Sequence, residues 1–286
     1  MILREWLEQW YLLRADLKPT TLRGYRAALQ HVSPSMLETD LESVTPLMWQ
    51  QALNALASDY PRQAQLLHAA LRSSWNDAIR LQIIPSGCVP YRYIKPVKHR
   101  SHAIAYLLPE ELSSYSRAAL DTDAALPLLL MLCCGLRRGE VLALQWSHID
   151  RRNLYIRIDC AICDGIITTP KSRTSVRDIP ISAALLRLID RYGDKTQDFC
   201  YNGGVKRLYA AHRAALRQAN IEAPVTLHGL RHSCATAALA GGADIKTVQQ
   251  ILGHATYGIT ADIYCHALMG AERAAVTAMA TRLEIA

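Results

Sequence analysis

The 286-residue sequence has no apolar run long enough to cross a bilayer. Its most apolar stretch, ALPLLLMLCCGL at 125–136, falls short of the roughly 20 residues a spanning helix needs and suits a buried core helix. The opening MILREWLEQWYLLR carries acids within an amphipathic pattern, which excludes a secretory leader or an anchor as its reading. No GxxxxGK[ST] string is present, so nothing points to ATP-driven chemistry. No acidic cluster suited to Mg²⁺ accompanies the basic residues, which argues against a two-metal nuclease. Cysteine is not scarce, with eight residues, but Cys160-x-x-Cys163 has no second pair at zinc-ribbon spacing. The thiols therefore read as reduced small hydrophobes in a cytosolic protein, and neither a metal nor a cofactor is expected. Internal repeats and low-complexity tracts are also missing.

What remains is ordinary in bulk, 50% apolar and 20% charged, and long enough for two domains with their own cores. The formal net charge is +7. Residues 1–100 hold 12 Lys and Arg against 8 Asp and Glu, so the excess is spread and not confined to a tail. A basic balance is compatible with a nucleic-acid partner and is shared by many proteins that bind none.

The first hundred residues read as four helices. Leu3, Trp6, Leu7, Trp10 and Leu13 repeat at helical period, as do Leu22, Tyr25, Leu29 and Val32, and later Leu67, Leu71, Trp75 and Ile79. Thr45 and Pro46 supply an N-cap and a first-turn proline for the third helix. The stretch 83–103, with three prolines and interleaved Lys and Arg, has no sustained period. It reads as the start of a tether, giving a helical domain at 1–90, a linker at 91–103 and a second domain at 104–286. The second domain is mostly helical, interrupted by a small antiparallel sheet from NLYIRID, GIITTP and SVRDIPI.

The string TLHGLRHSCATAALAGG at 226–242 opens a helix at Thr226 with His228, Arg231 and His232. Cations in a first turn oppose the helix dipole, and the conflict resolves if an anion arrives: an N-terminus plus a guanidinium suits a phosphate. Gly229 stands where H-E-x-x-H needs glutamate, so His228 and His232 do not read as a zinc pair. GLRRGEVLAL places Arg137 at a glycine bend beside an apolar layer, where it must face a ligand or a structural partner such as Glu140. TPKSRTSVRDIP puts Lys171 at a hairpin tip, with Arg173 and Arg177 as basic alternatives. ILGHATYGITADIYCH supplies His254 and, ten residues later, Tyr264.

These strings, in this order across about 130 residues, resemble the tyrosine recombinase (phage integrase) family. LKPTTLRGYRAALQHV resembles that family's core-site-binding domain, so the likeness covers nearly the whole chain. It is a likeness to short forms, because the sequence starts at the core-binding helices with no room for an arm-binding domain. The resemblance implies a mainly α fold: a helical, SAM-like core-binding domain followed by a mostly helical catalytic domain with a small antiparallel β-sheet.

The resemblance further implies DNA cleavage and rejoining through a covalent 3′-phosphotyrosine. Arg137 and Arg231 would fork onto the nonbridging oxygens, and His254 would add a donor there. Tyr264 would attack, His228 would accept its proton, and Lys171 would protonate the departing 5′-oxygen. Arg23, Arg26, Arg62, Arg72, Lys95, Lys98 and Arg100 are candidate phosphate contacts of the positioning kind. The expected partners are double-stranded DNA core sites, further copies of the chain in a synaptic homo-tetramer, and accessory DNA-bending or directionality proteins. Action is expected in the cytoplasm at the nucleoid, with no membrane. The final helix, with Val276, Met279 and Leu283 on one face, resembles the family's segment exchanged between subunits and is expected to dock on a neighbouring subunit, with packing on its own domain as the alternative. A non-cutting DNA-binding protein of the same fold and a type IB topoisomerase are the alternatives.

Overall fold

The computed structural model describes residues 1–97, 104–168, 176–253, 277 and 279–283. They form two compact units, Met1–His102 and Ala103–Ala286. Among the described residues no helix is long and apolar enough to cross a membrane.

The first unit is helical: α1 (Leu3–Leu13), α2 (Pro19–Leu29), the short α3 (Pro34–Leu37), α4 (Pro46–Ala57) and α5 (Pro61–Arg80). Thr45 caps α4 by accepting from the Met48 N–H at 3.2 Å, with Pro46 at the first position where its missing donor is not needed. Trp6, Trp10, Trp49 and Trp75 are all fully buried at the centre. Large aromatic area is what lets a unit this small sustain a core. Trp10 also donates to Asp77 at 2.8 Å. Residues 90–97 pack onto this unit: Pro90–Tyr93 forms a 3-10 turn and Ile94 joins the core.

The second unit is built around α7 (Ala125–Cys133), whose residues from Ala125 to Leu132 are all buried. It packs against α6 (Glu111–Leu120), α8 (Arg138–Leu142), α9 (Ala183–Tyr192), α10 (Gly204–Gln218) and α11 (Leu227–Ala240). The last described long element is α12 (Ile245–Leu252), which packs on α11.

The sheet differs from the expected arrangement. Strands β1 (Ile149–Asp150), β2 (Tyr155–Ile158) and β5 (Arg177–Pro180) form an antiparallel sheet in the order β1-β2-β5, with Ile156 opposite Ile179. GIITTP supplies β4 (Ile166–Thr168), which pairs instead with β3 (Ala161–Cys163) in a separate hairpin. The cause is local. Asp164 and Gly165 both take positive φ, 53° and 78°, the geometry of a two-residue type I′ turn that Asp-Gly favours. The Cys-x-x-Cys segment is therefore spent on a hairpin.

Candidate functional site

Three arginines from different elements end on one turn of helix. α12 stops at Gly253, whose left-handed φ of 64° is the usual glycine exit from a helix. Its last carbonyls have no partners within the helix and lie at the negative end of its dipole. Arg177 Nε donates to the Ile251 carbonyl at 2.6 Å. Arg231 Nη2 donates to Leu252 at 2.5 Å, and Arg137 Nη2 donates to Gly253 at 3.0 Å. Three consecutive carbonyls are thus held by guanidiniums from β5, α11 and the turn before α8.

Glu140 joins two of them. Its Oε1 accepts from Arg137 Nη1 at 2.6 Å, and Arg177 spans both its oxygens at 3.1 and 2.9 Å. It also accepts the Arg137 backbone N–H at 2.9 Å, capping α8. Glu140 is 5% exposed and its pKa falls to about 2. Burial works against that fall, and the hydrogen bonds and charge of Arg177, followed by the charge of Arg137, outweigh it.

Arg231 is 2% exposed, and its Nη1 donates to the Gly135 carbonyl at 2.5 Å. Burial first, then the neighbouring Arg137 and Arg177 charges, push its pKa down to about 9. It remains protonated at neutral pH. Arg137 keeps about a third of its side chain open to solvent. It therefore has both the structural partner the sequence suggested and an accessible edge.

The start of α11 is set from several sides. Thr226 Oγ1 accepts the Gly229 N–H at 3.1 Å, as the sequence predicts for an N-cap. The preceding Val225 carbonyl binds His212 Nε2 at 2.9 Å, while His212 Nδ1 meets the Tyr115 hydroxyl at 2.7 Å. A Cβ on Gly229 would collide with the carbonyl of Ala105, which explains glycine between His228 and Arg231. Ser233 completes the crossing by accepting the Leu107 N–H at 2.8 Å.

His228 and His232 meet edge to face, ring centroids 4.8 Å apart. His228 is open at the surface, yet the surrounding protein, then Arg231 and Arg137, lower its pKa below the ordinary histidine value. His232 is 3% exposed, and among the described residues neither ring nitrogen has a hydrogen-bond partner. Burial, with His228 and Arg231, pushes its pKa down to about 4. Both rings are neutral at pH 7.

The structure thus brings together Arg137, His228 and Arg231. Lys171, His254 and Tyr264 lie outside the described residues, as do Lys98, Arg100 and Val276. In the first unit Arg23, Arg26, Arg62, Arg72 and Lys95 are all exposed. Arg62 reaches Gln65 at 3.0 Å and Arg72 lies over the Tyr91 ring at 5.7 Å.

Arg177 had entered only as an alternative to Lys171. Period-two alternation was the signal available: Arg177 shares a strand face with Ile179 and Ile181, both buried, so it points inward.

Among the described residues one group could approach a metal. Ligand atoms of His148, Asp159 and Cys160 lie within 4.8 Å of one another. However, His148 Nδ1 accepts the Gln145 N–H at 3.3 Å, so its proton belongs on Nε2, the nitrogen that faces Asp159 at 3.5 Å. A metal on Nε2 would need the opposite tautomer.

The sequence pattern of the phage integrase family matches residues 106–270. The chain is 31% identical over 153 residues to the ICEBs1 integrase of Bacillus subtilis, covering 46% of this chain and 42% of that protein. It is 28% identical to the putative prophage phiRv2 integrase of Mycobacterium tuberculosis, covering 94% of this chain and 75% of that protein. In fold it is similar to the Tn1549 transposon integrase solved with transposon right end DNA, with a TM-score of 0.80 at 17% identity over 98% of this chain and 100% of that one. A lambda integrase dimer bound to a core site gives 0.71 at 18% identity over 92% and 95%. The match of the family pattern over more than half the sequence, on a fold shared with solved integrases, places the chain in the phage integrase family of tyrosine recombinases.

Proposed function

We propose that this chain is a site-specific recombinase that cleaves and rejoins duplex DNA through a phosphotyrosine at Tyr264. The observation that carries the chemistry is the convergence of Arg137 and Arg231 on adjacent carbonyls, in a cluster of three guanidiniums where, among the described residues, one carboxylate, Glu140, bonds to Arg137 and Arg177. Such a cluster holds excess positive charge at low dielectric, which an incoming phosphodiester neutralises. Charge on the nonbridging oxygens grows as the phenol oxygen attacks phosphorus, so preformed guanidiniums stabilise the transition state more than the ground state.

In this scheme Tyr264 forms a bond to phosphorus as the 5′-oxygen leaves with a proton from Lys171. His228, neutral at pH 7, accepts the phenol proton, and His254 donates to a nonbridging oxygen. The ester retains the energy of the broken linkage, so the 5′-hydroxyl of a partner strand reverses the step without ATP. The exposed arginines of the first unit would position the duplex. The relatives named integrases support integration or excision of a mobile element, with resolution of DNA multimers as the other outcome of the same chemistry.

Assembly into a tetramer on DNA belongs to the same proposal, at the nucleoid and with accessory DNA-bending or directionality proteins. A lambda integrase tetramer bound to a Holliday junction has this fold. An apolar groove in the second unit, lined by Leu112, Leu132, Ala238, Val248 and Leu252, suits a neighbour's last helix. Met279 and Leu283 are 63% and 62% exposed, which leaves them available to fill it.

A nicked suicide substrate tests the reading. Wild-type protein should be trapped as a covalent adduct, while Tyr264→Phe should bind the DNA without one. An adduct with the phenylalanine variant would remove Tyr264 as the nucleophile.

A further inference from the structure

The Arg177 side chain is 7% exposed, and it donates to both Glu140 oxygens and to the Ile251 carbonyl. Glu140 in turn fixes the Arg137 backbone and guanidinium. The Ile251 carbonyl belongs to the turn whose next two carbonyls are held by Arg231 and Arg137. That turn leads by one peptide bond from Gly253 to His254. Arg177 therefore binds, from a separate strand, both the acid that orients Arg137 and the helix end that Arg137 also reaches.

We propose that Arg177 is a positioning residue for DNA cleavage: it locks Glu140, and through it Arg137, to the C-terminal turn of α12. The inference rests on the functional reading above and goes beyond it, because it gives Arg177 a role through Glu140 and Arg137 instead of a phosphate contact. Lysine at this position keeps the charge and can hold one acceptor well. A single ammonium cannot reproduce the planar fork that spans two carboxylate oxygens while a third donor reaches a carbonyl. The Arg137 guanidinium then loses its fixed orientation. A displacement of about 1 Å at a reacting group lowers rates by as much as about 10²-fold without removing any contact to substrate.

The test is a double-variant cycle on the rate of covalent adduct formation, with DNA affinity measured separately at fixed salt. Arg177→Lys should slow adduct formation by roughly 10 to 10²-fold at unchanged DNA affinity. Combined with Arg137→Lys it should add nothing further, because the two act through one guanidinium. If Arg137→Lys is too slow to follow, the same cycle is read with Glu140→Asp. Effects that multiply, or a loss of affinity that accounts for the slowing, would overturn the proposal. Thermal melts accompany each variant, and Arg177→Met serves as a second probe of similar length. If neither Arg177 variant folds, the residue belongs to the fold and not to the reaction, and the proposal fails. Wild-type protein that forms no adduct would instead overturn the functional reading, which separates the two failures.

Discussion

Arg231 Nη2 lies 2.5 Å from the carbonyl oxygen of Leu252, so a side chain from α11 closes the end of α12. Arg231→Lys removes the fork that also reaches Gly135, and should lower the rate of adduct formation by ~10³-fold, by analogy with arginine fingers. The same change leaves a buried carbonyl unpaired, at about 1–3 kcal/mol. A denaturant melt and a single-turnover cleavage time course read the two losses separately.

Glu140 makes the cluster acid-sensitive. Its folded pKa of about 2 lies below the ordinary carboxylate value of 4.5, so unfolding takes up a proton at intermediate acid pH. Its contribution is fully present above pH 4.5 and is lost as pH falls towards 2, with a magnitude of roughly 3 kcal/mol. Glu140→Gln should destabilise the protein at pH 7, and the gap from wild type should narrow in melts taken from pH 5 down to pH 2.5.

The two neighbouring histidines predict opposite readouts. Since His228 has a pKa below the ordinary 6.5, adduct formation should hold through pH 7 and decline only on the acid side of that value. His228→Gln should lower the plateau and flatten the limb.

His232 acts on stability. Its folded pKa of about 4 lies below the ordinary 6.5, so the unfolded chain binds more protons and stability is lost as pH falls from 6.5 to 4. His232→Leu removes that titration together with two buried ring nitrogens that have no hydrogen-bond partner among the described residues. Its melting temperature should exceed that of wild type at pH 5 by more than it does at pH 8.

In the first unit, Arg23→Ala and Arg26→Ala should weaken DNA binding about equally for all sequences. Each should reduce the slope of log affinity against log salt by about 0.9 if it neutralises one phosphate. Binding titrations from low to moderate salt provide the comparison, and an unchanged slope would remove that residue from the interface.

Much of this architecture could be read from local patterns. Thr45 and Thr226 cap their helices where polar residues precede apolar periods, and Ala125–Leu132 is buried along its whole length. These signals act over one or two turns. Pairing of GIITTP was misread because the Asp164-Gly165 turn chemistry decides its partner before any longer connection can form. The site divides in the same way. Arg137 and Arg231 stand out by being cations where burial or a helix dipole disfavours them, whereas Arg177 looks like one more base in a basic stretch. Its role depends on Ile251, 74 residues away, and no spacing rule reports that distance.

The three held carbonyls also set a limit on length. Each residue added to α12 would turn its final carbonyls by 100° and advance them by about 1.5 Å. A single insertion between Ile245 and Leu252 would therefore aim side chains, not oxygens, at the guanidiniums. The turn before the helix at Gly241–Ala243 holds none of these guanidiniums, so a longer turn costs its own backbone hydrogen bonds and leaves the phase of α12 unchanged. Sequence drift in this region should accumulate as loop insertions ahead of Asp244, with the eight-residue span of α12 kept constant.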